Sequence, residues 1–250
     1  MVFTKSIGEA TLPGFTAFTP HDAAEAFKKM RDEGLSVRFK DPSSTGGLGQ
    51  QLVRNQNELA EALTAHESKF ANVGAVLEVD LENVETVTVG YVDLDGKTYT
   101  WYGKPHDVEF NDMLRFGGNE LTVVKGGFDV LRRQCKDPSD LLAVVQTEHV
   151  FDAYSNLGTI ITRGTFDVVR GNALDGTYMS GVADPSFRPS ASSAAEIRAI
   201  EAFAESAGTH VVTTRLVYDY DKKFVPDESS HELFLAHKNM NIYVELVDKQ

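Results

Sequence analysis

The stretch Val37-Arg38-Phe39-Lys40-Asp41-Pro42-Ser43-Ser44-Thr45-Gly46-Gly47-Leu48-Gly49-Gln50 decides how the rest of the chain is interpreted. Its first residues predict a short strand that ends at Lys40, and a loop of small residues with three glycines follows. Such a loop lets backbone N–H groups crowd around an anion, because glycine reaches positive φ without strain. The lysine adds a positive charge for a phosphate. An ordinary hairpin turn is the alternative interpretation of the same residues.

Neither of two common nucleotide-binding motifs is present in this stretch. A P-loop places Lys-Ser or Lys-Thr directly after its last glycine and continues into a helix. Here the lysine precedes the glycines, and Gln51-Leu52-Val53 after them predicts a strand. The dinucleotide fingerprint Gly-x-Gly-x-x-Gly is absent as well. Phosphate binding would therefore have to use a strand–loop–strand unit.

Composition and charge limit the class of protein. The chain has 250 residues, of which 42% are hydrophobic, and this is typical of a globular protein with a sizeable core. The net charge of -13 disfavours non-specific binding to nucleic acid or to an anionic membrane surface. Cys135 is the only cysteine, so no internal disulfide can form, and we expect a cytoplasmic protein. We expect no signal peptide and no membrane span, because no apolar run approaches the required length of about 20 residues.

Hydrophobic periodicity and turn signals predict an α+β chain. Thr19-Pro20 predicts the start of a helix over about 21–33, and further helices are predicted at 57–69, 141–154 and 192–207. The predicted strands are 35–39, 51–53, 72–79, 84–93, 97–102, 121–124, 158–163, 165–169, 178–182, 211–220 and 241–247. Asp95-Gly96 and Asp175-Gly176 predict hairpin turns. Residues 103–116 are expected to form a polar loop and residues 117–120 a turn. Helices segregated from hairpins favour α+β over a strict βαβ array.

Four segments, taken in order, resemble the nucleotide-binding segments of ATP-grasp enzymes. The stretch quoted above resembles their Val-Val-Lys-Pro sequence with its glycine-rich loop. Upstream, Thr4-Lys5 and the turn over residues 12–18 resemble the first ATP-contacting lysine and the turn after it. Downstream, residues 76–85 resemble the hinge strand. Residues 163–167 and Asp184-Pro185-Ser186-Phe187-Arg188 resemble the metal segment.

The resemblance covers nearly the whole chain and implies an ATP-grasp fold. This fold is α+β, with two α+β subdomains and the nucleotide cleft between them. The implied division is an N-terminal segment at 1–33 with the first lysine and a helix, a small lid subdomain at 34–80 with the glycine-rich loop, and a larger antiparallel subdomain at 81–250 with the metal site.

The resemblance also implies which residues bind ATP. Lys40 and Lys5 would neutralise the α- and β-phosphates. Glu78 and Leu81 would set the adenine pocket, and Glu85 would meet the ribose hydroxyls. A flexible lid would close its backbone N–H groups over the phosphates, and its residues are Ser44, Thr45, Gly46, Gly47 and Gly49.

The metal and catalytic residues implied by the resemblance lie further along the chain. Asp167, Asp184 and Ser186 would hold Mg²⁺ through oxygen ligands, which a hard cation prefers. Arg163 and Arg188 would be catalytic, stabilising the transferring phosphoryl group or clamping a substrate carboxylate.

The activity implied by the resemblance is that of an ATP- and Mg²⁺-dependent ligase. Such an enzyme activates a carboxylate as an acyl phosphate, which an amine or a thiol then attacks. Three positions depart from the family pattern: Asp184 is shorter than the usual glutamate, Ser186 stands where asparagine is usual, and Val79 stands where many relatives have lysine. Two alternatives stay open, namely a phosphotransferase on the same fold and a degenerate, non-catalytic nucleotide-binding protein.

ATP-grasp enzymes usually carry a preceding α/β domain that forms one wall of the substrate site, and this chain starts at the first lysine segment. We therefore expect a fragment, a degenerate relative, or a chain whose missing wall comes from a partner chain or from a homo-oligomer. The expected ligands are a small-molecule carboxylate and an amine or thiol, with no nucleic acid and no membrane as partners.

Overall fold

The computed structural model describes residues 3–44, 49–233 and 240–250. The chain divides into two compact units. The first comprises Met1–Glu85 and Val169–Gly181, and the second comprises Thr86–Val168 and Val182–Gln250. The tip of one long hairpin, residues 169–181, thus belongs to the first unit. The predicted division at residues 33 and 80 stays a prediction.

The first unit carries a four-stranded antiparallel sheet and two longer helices. Its elements are α1 Phe3–Ile7, β1 Gly14–Ala17, α2 Pro20–Asp32, β2 Val37–Lys40, β3 Gln50–Val53, α3 Gln56–Val73 and β4 Ala75–Val79. The strand order is β1-β4-β2-β3. In this sheet β4 pairs with both β1 and β2, and β2 also pairs with β3.

Local capping explains where the two longer helices begin. The Thr19 hydroxyl accepts a hydrogen bond from the Asp22 N–H at 3.1 Å, and Pro20 occupies the first helical position. The Asn55 side chain accepts from the N–H groups of Asn57 and Glu58, both at 3.0 Å. Both predicted helices are confirmed, although α3 continues to residue 73 because its apolar face goes on packing against the sheet.

The central strands of this sheet have one apolar and one charged face. Val37 and Phe39 on β2 are buried in the core, together with Leu77 and Val79 on β4. Side chains alternate between the faces of a strand, so Arg38, Lys40 and Glu78 project from the opposite face. The charged residues that we expected to bind a phosphate and adenine therefore share one face of the small sheet.

The second unit is built around an eight-stranded sheet with the order β11-β12-β10-β7-β6-β5-β8-β9. Its elements are β5 Glu82–Leu94, β6 Lys97–Phe110, β7 Met113–Lys125, α4 Phe128–Arg132, α5 Pro138–Asn156, β8 Arg163–Asn172, β9 Tyr178–Ser186, α6 Ser193–Glu205, β10 Val211–Asp219, β11 Ser230–Leu233 and β12 Asn241–Lys249. The structure confirms a mixed fold of helices and antiparallel sheets. The predicted turn at Asp95-Gly96 is confirmed too, and both of its residues have positive φ.

Helices cover both faces of this sheet. On one face, Trp101 is fully buried and lies across Gly90 of the neighbouring strand, where an added Cβ would fall 2.0 Å from the indole ring. Phe203 of α6 packs there beside Tyr99, with ring centroids 5.6 Å apart. On the other face, Tyr91 contacts Phe128 of α4 and Phe151 of α5. Among the described helices, none is both long and apolar enough to cross a membrane.

The expected polar loop over residues 103–116 and the expected turn over residues 117–120 are wrong. These residues belong to β6 and β7, which pair from Tyr99–Lys125 to Phe110–Met113. The real turn is Asn111-Asp112, where both residues have positive φ, as a two-residue hairpin loop requires. Most side chains near this tip are exposed, so the alternating apolar pattern that identifies a strand is absent there.

Candidate functional site

The charged face of the small sheet carries two ion pairs, one between β2 and β4 and one between β2 and the residue that follows β4. Lys40 Nζ contacts Glu78 Oε1, and only 16% and 12% of these two side chains are exposed. Beside them, Arg38 Nε donates to Asp80 Oδ1 at 2.7 Å. The antiparallel register that places Arg38 opposite Glu78 brings the pairs together. The structure thus joins Lys40 and Glu78, two residues that the sequence analysis assigned to phosphate and adenine.

The glycine-containing loop begins with a compact turn around Asp41. The Asp41 N–H donates to the Gly49 carbonyl at 2.9 Å, which closes the loop at its base. Asp41 Oδ1 accepts from the N–H and the hydroxyl of Ser43 at 2.7 and 2.6 Å, and Oδ2 accepts from the Ser44 hydroxyl at 3.0 Å. Gly49 has φ of +68°, and a Cβ there would fall 2.4 Å from Ser44 Oγ, so this position requires glycine.

Two side chains of α3 also hold Asp41. Lys69 Nζ donates to Asp41 Oδ2 at 3.1 Å, and His66 Nδ1 lies 3.4 Å from the same oxygen. Burial acts to raise the pKa of the Asp41 carboxyl, but the hydrogen bonds from Ser43, Lys69 and Ser44 outweigh it and hold the pKa well below its ordinary value. Asp41 is therefore a charged carboxylate at neutral pH, surrounded by donors.

In the second unit, Asp167 lies on β8 and Asp184 on the neighbouring strand β9. The Thr88 hydroxyl donates to Asp167 Oδ1 at 2.8 Å. Burial raises the pKa of Asp167, the hydrogen bond from Thr88 lowers it, and the negative charge of Asp184 raises it again. The two predicted metal ligands are therefore close enough to repel each other electrostatically.

These two carboxylates are not part of a larger cluster of metal-binding side chains among the described residues. Within the part of the chain that the structure describes, no group of three or more His, Cys, Asp or Glu side chains lies together as a metal cluster. Ser186, the third predicted ligand, is the last residue of β9 and is partly buried. The protein offers two carboxylate groups and one hydroxyl at most from the predicted set.

Arg163 is engaged with a residue that the sequence analysis did not single out. Its Nη1 donates to both carboxylate oxygens of Glu196, at 2.6 and 2.7 Å, and Glu196 is fully buried in the first turn of α6. Burial raises the pKa of Glu196 to about 7, although the positive charge of Arg163 acts against this. The contact joins the first residue of β8 to the start of α6.

Most of the other predicted ATP-binding residues have surroundings of their own in the structure. Glu85 accepts from Arg170 Nη2 at 2.7 Å, Leu81 is buried in the core of the first unit, and Lys5 is exposed on the short helix α1. Arg188 is exposed and donates to the carbonyl of the adjacent proline at 3.1 Å. Thr45, Gly46 and Gly47 lie outside the described residues.

Several interacting residues carry no signal in the sequence that points to their partners. His66, Lys69 and Glu196 lie on helices that were predicted, but their partners are 25, 28 and 33 residues away in the chain. The one local signal was Asp-x-Ser at 41–43, which is typical of an aspartate that caps its own turn.

A comparison with protein families found one match. The model of the family described as "Protein of unknown function (DUF3182)" matches residues 1–241. A comparison with curated proteins found no match.

A comparison with solved structures found several similar folds. The biotin carboxylase–β-γ-ATP complex from Campylobacter jejuni is 14% identical, with a TM-score of 0.60 over 98% of this chain. The biotin carboxylase domain of 2-oxoglutarate carboxylase from Hydrogenobacter thermophilus, in complex with MgADP and bicarbonate, is 14% identical with a TM-score of 0.62, again over 98%. The ADP complex of N5-carboxyaminoimidazole synthetase from Staphylococcus aureus is 15% identical with a TM-score of 0.57 over 98%.

These similarities show that the chain has an ATP-grasp fold, which confirms the predicted fold class. The chain spans 60% of the two carboxylase chains and 65% of the synthetase chain.

Proposed function

Since the chain belongs to the family described as "Protein of unknown function (DUF3182)" and has an ATP-grasp fold, we propose that it is an ATP- and Mg²⁺-dependent ligase. It activates a carboxylate as an acyl phosphate, which an amine or a thiol then attacks. The single observation that carries the proposal is the Lys40–Glu78 ion pair beside the base of the glycine-containing loop.

The first unit supports the nucleotide half of this proposal. Lys40 ends its strand immediately before the loop, and its ammonium group is held by Glu78 on the adjacent strand β4. A triphosphate is the stronger anion, so its oxygens can take over this lysine from a single carboxylate. Ser44 and Gly49 form the described base of the phosphate-binding loop; Glu78 lies near the end of β4, and Leu81 lies between β4 and β5.

The second unit supports the metal half. Two carboxylates on neighbouring strands repel each other, and burial disfavours the charge of Asp167, so a divalent cation would relieve both effects. Asp167 and Asp184 would hold Mg²⁺, and the remaining ligands would be phosphate oxygens and water, as is usual for this ion. When bound, the ion would neutralise part of the negative charge on the phosphates.

The chemistry follows from the groups that this chain provides. A carboxylate oxygen of the substrate attacks the γ-phosphorus of ATP, the bond to the bridging oxygen breaks, and ADP leaves. The amine or thiol then attacks the acyl carbon, and inorganic phosphate leaves. Lys40 and Arg188 would balance the charge that shifts between the phosphate oxygens. Arg163 already has a carboxylate partner, so it would act on the substrate only by exchanging Glu196 for it.

We further propose a cytoplasmic enzyme with small-molecule substrates. No nucleic acid or membrane partner is included in the proposal, because the net charge of -13 disfavours both kinds of polyanionic surface.

The decisive test is ATP binding followed by measurement of ADP and phosphate release with a panel of carboxylates and amines or thiols. Release of both products that requires both substrates supports the ligase. Release of ADP with transfer of phosphate to a hydroxyl indicates the phosphotransferase instead. ATP binding without turnover under any pairing indicates a degenerate binding protein, an outcome that the short Asp184 and the hydroxyl of Ser186 favour. If ATP does not bind at all in the presence of Mg²⁺, the proposal is wrong.

A further inference from the structure

We propose that Arg170 is a positioning residue that makes the nucleotide site select ribose over deoxyribose. It holds the Glu85 carboxylate in one orientation, in which this carboxylate accepts hydrogen bonds from the neighbouring hydroxyls of a ribose. The inference deepens the proposed function and rests on it, because these hydroxyls belong to ATP.

The contact between Arg170 and Glu85 brings two donors to a single oxygen. Arg170 Nε donates to Glu85 Oε2 at 3.0 Å, and Nη2 donates to the same oxygen at 2.7 Å. Both nitrogens belong to one planar guanidinium, so their N–H groups have a fixed spacing and direction. Two charge-assisted hydrogen bonds therefore fix the position of Oε2, and neither of them uses Oε1.

Burial differs strongly between the two partners. Only 5% of the Arg170 side chain is exposed, whereas 64% of the Glu85 side chain is exposed. Close packing restricts the rotamers of a buried side chain, so Arg170 is a fixed support. A ligand in solution can reach the Glu85 carboxylate while Arg170 holds it from the protein side.

The backbone that leads to Glu85 is supported by the same part of β8. An added Cβ at Gly171 would lie 2.6 Å from the Glu82 carbonyl oxygen and 3.1 Å from Leu81 Cβ, so the segment can lie this close only because residue 171 is glycine. Leu81 is buried in the core of the first unit. Arg170 and Gly171 thus hold the side chain and the backbone of this segment, and both belong to the same unit as Glu85.

A carboxylate fixed in this way suits a ligand with hydroxyl donors. An ionised carboxylate only accepts hydrogen bonds, and a ribose presents two neighbouring hydroxyl groups that can donate them. A glutamate that rotates freely in solvent loses side-chain entropy when a ligand orders it. Arg170 orders Glu85 before the ligand arrives, so more of each hydrogen bond contributes to affinity. Loss of Arg170 would therefore weaken ATP binding without removing a group that touches ATP.

Two substitutions at residue 170 separate orientation from charge. Arg170→Met removes the charge and both donors but keeps an unbranched side chain. Arg170→Lys keeps the charge and replaces the fixed pair of donors by one ammonium group. If Arg170 only balanced the charge of Glu85, lysine would preserve ribose selection. Since the planar pair of donors sets the orientation, we expect lysine to lose this selection as methionine does.

The experiment compares the Kd for MgATP with the Kd for the Mg²⁺ complexes of 2′-deoxyATP and 3′-deoxyATP. In the wild type at least one deoxynucleotide should bind about tenfold more weakly than ATP, the loss of one hydrogen bond to a charged group. In Arg170→Met and Arg170→Lys this ratio should fall to within about twofold of one, because ATP binds more weakly while the Kd of the deoxynucleotide stays nearly the same.

The outcomes distinguish this inference from the proposed function. If the protein binds ATP but the ratio in Arg170→Met equals that of the wild type, the inference is overturned and the proposed function is not. A wild type that binds ATP and both deoxynucleotides equally well has the same consequence. If the wild type binds none of the three nucleotides, the proposed function is wrong and this inference is wrong with it.

Further variants exclude a general effect on folding. Glu85→Gln changes a largely exposed side chain; it should lower the ratio as far as Arg170→Met does, and the double variant should lower it no further, because Arg170 acts through Glu85. Arg198→Met on α6 is the matched control, since Arg198 is 10% exposed and lies 3.5 Å from Glu205. It should lower Tm but keep the wild-type ratio. A changed ratio in this control, or a further decrease in the double variant, would refute the positioning role.

Discussion

The clearest test of the site is Lys40→Met, because it separates stability from nucleotide binding. Breaking a fully buried ion pair by removing one partner costs about 3–5 kcal/mol, since it leaves an uncompensated charge. Lys40 and Glu78 keep 16% and 12% of their side chains exposed. Water can therefore reach Glu78 in the variant, and we expect a loss of about 2 kcal/mol, which lowers Tm by roughly 4–8 °C in a protein of this size.

The double variant Lys40→Met/Glu78→Gln removes both charges and keeps similar volumes. Its Tm should return to within a few degrees of the wild type, because no buried charge is left unpaired. ATP binding should not recover in the double variant. We expect a Kd for MgATP at least about tenfold above wild type in both variants, the loss of one charge-assisted contact.

The assay is a thermal melt beside calorimetric titration with MgATP, and Lys97→Met is the matched control. Lys97 is exposed at the first residue of β6, so its loss should change neither Tm nor Kd. An unchanged Kd, within twofold, in Lys40→Met would refute the phosphate role of Lys40. A double variant as unstable as the single one would refute the ion-pair explanation of its stability.

Three further predictions concern the second unit. In Asp167→Asn and Asp184→Asn, Mg²⁺ should no longer strengthen ATP binding, while binding in EDTA stays unchanged; titrations with and without the metal test this. Glu196 has a pKa raised to about 7 by burial, so its protonation stabilises the native state fully below the ordinary value of 4.5, and this stability is lost as pH rises through 7. Relative to Glu196→Gln, the wild type should lose up to about 3 kcal/mol between these pH values in urea unfolding, and parallel pH profiles would contradict this. Gly118→Ala should cost several kcal/mol, because φ is +131° and the added Cβ would lie 1.9 Å from a carbonyl oxygen; Gly96→Ala, with positive φ but open space, should cost about 1 kcal/mol.

Interactions between near neighbours in the chain allowed much of the fold to be predicted from the sequence. Thr19-Pro20 and Asn55 begin helices through hydrogen bonds to N–H groups two or three residues away. Asp95-Gly96 turns a hairpin because both residues adopt positive φ. Such signals involve near neighbours in the chain, so they can be recognised without knowledge of the tertiary structure.

The long β6–β7 hairpin could not be predicted in this way. Near its tip, the residues around Asn111-Asp112 are mostly exposed, so no apolar alternation identifies them as strands. Gly118 looked like part of a turn, but its small size serves the close approach of Leu216 on a strand about 100 residues later. The glycine at position 118 is visible in the sequence, but the contact that requires its small size comes from a residue far along the chain.

The sequence by itself determined the four longer helices and the Asp95-Gly96 hairpin turn, and it marked Lys40, Glu78, Asp167 and Asp184 as residues to follow. The tertiary structure decided which polar side chains meet: Lys40 with Glu78, Arg163 with Glu196, and Asp41 with His66. The physical reason is the separation along the chain over which each kind of contact acts. Caps and turns act over a few residues, whereas these contacts join groups 25 to 38 residues apart, and only strand register and helix packing bring such groups within hydrogen-bonding distance.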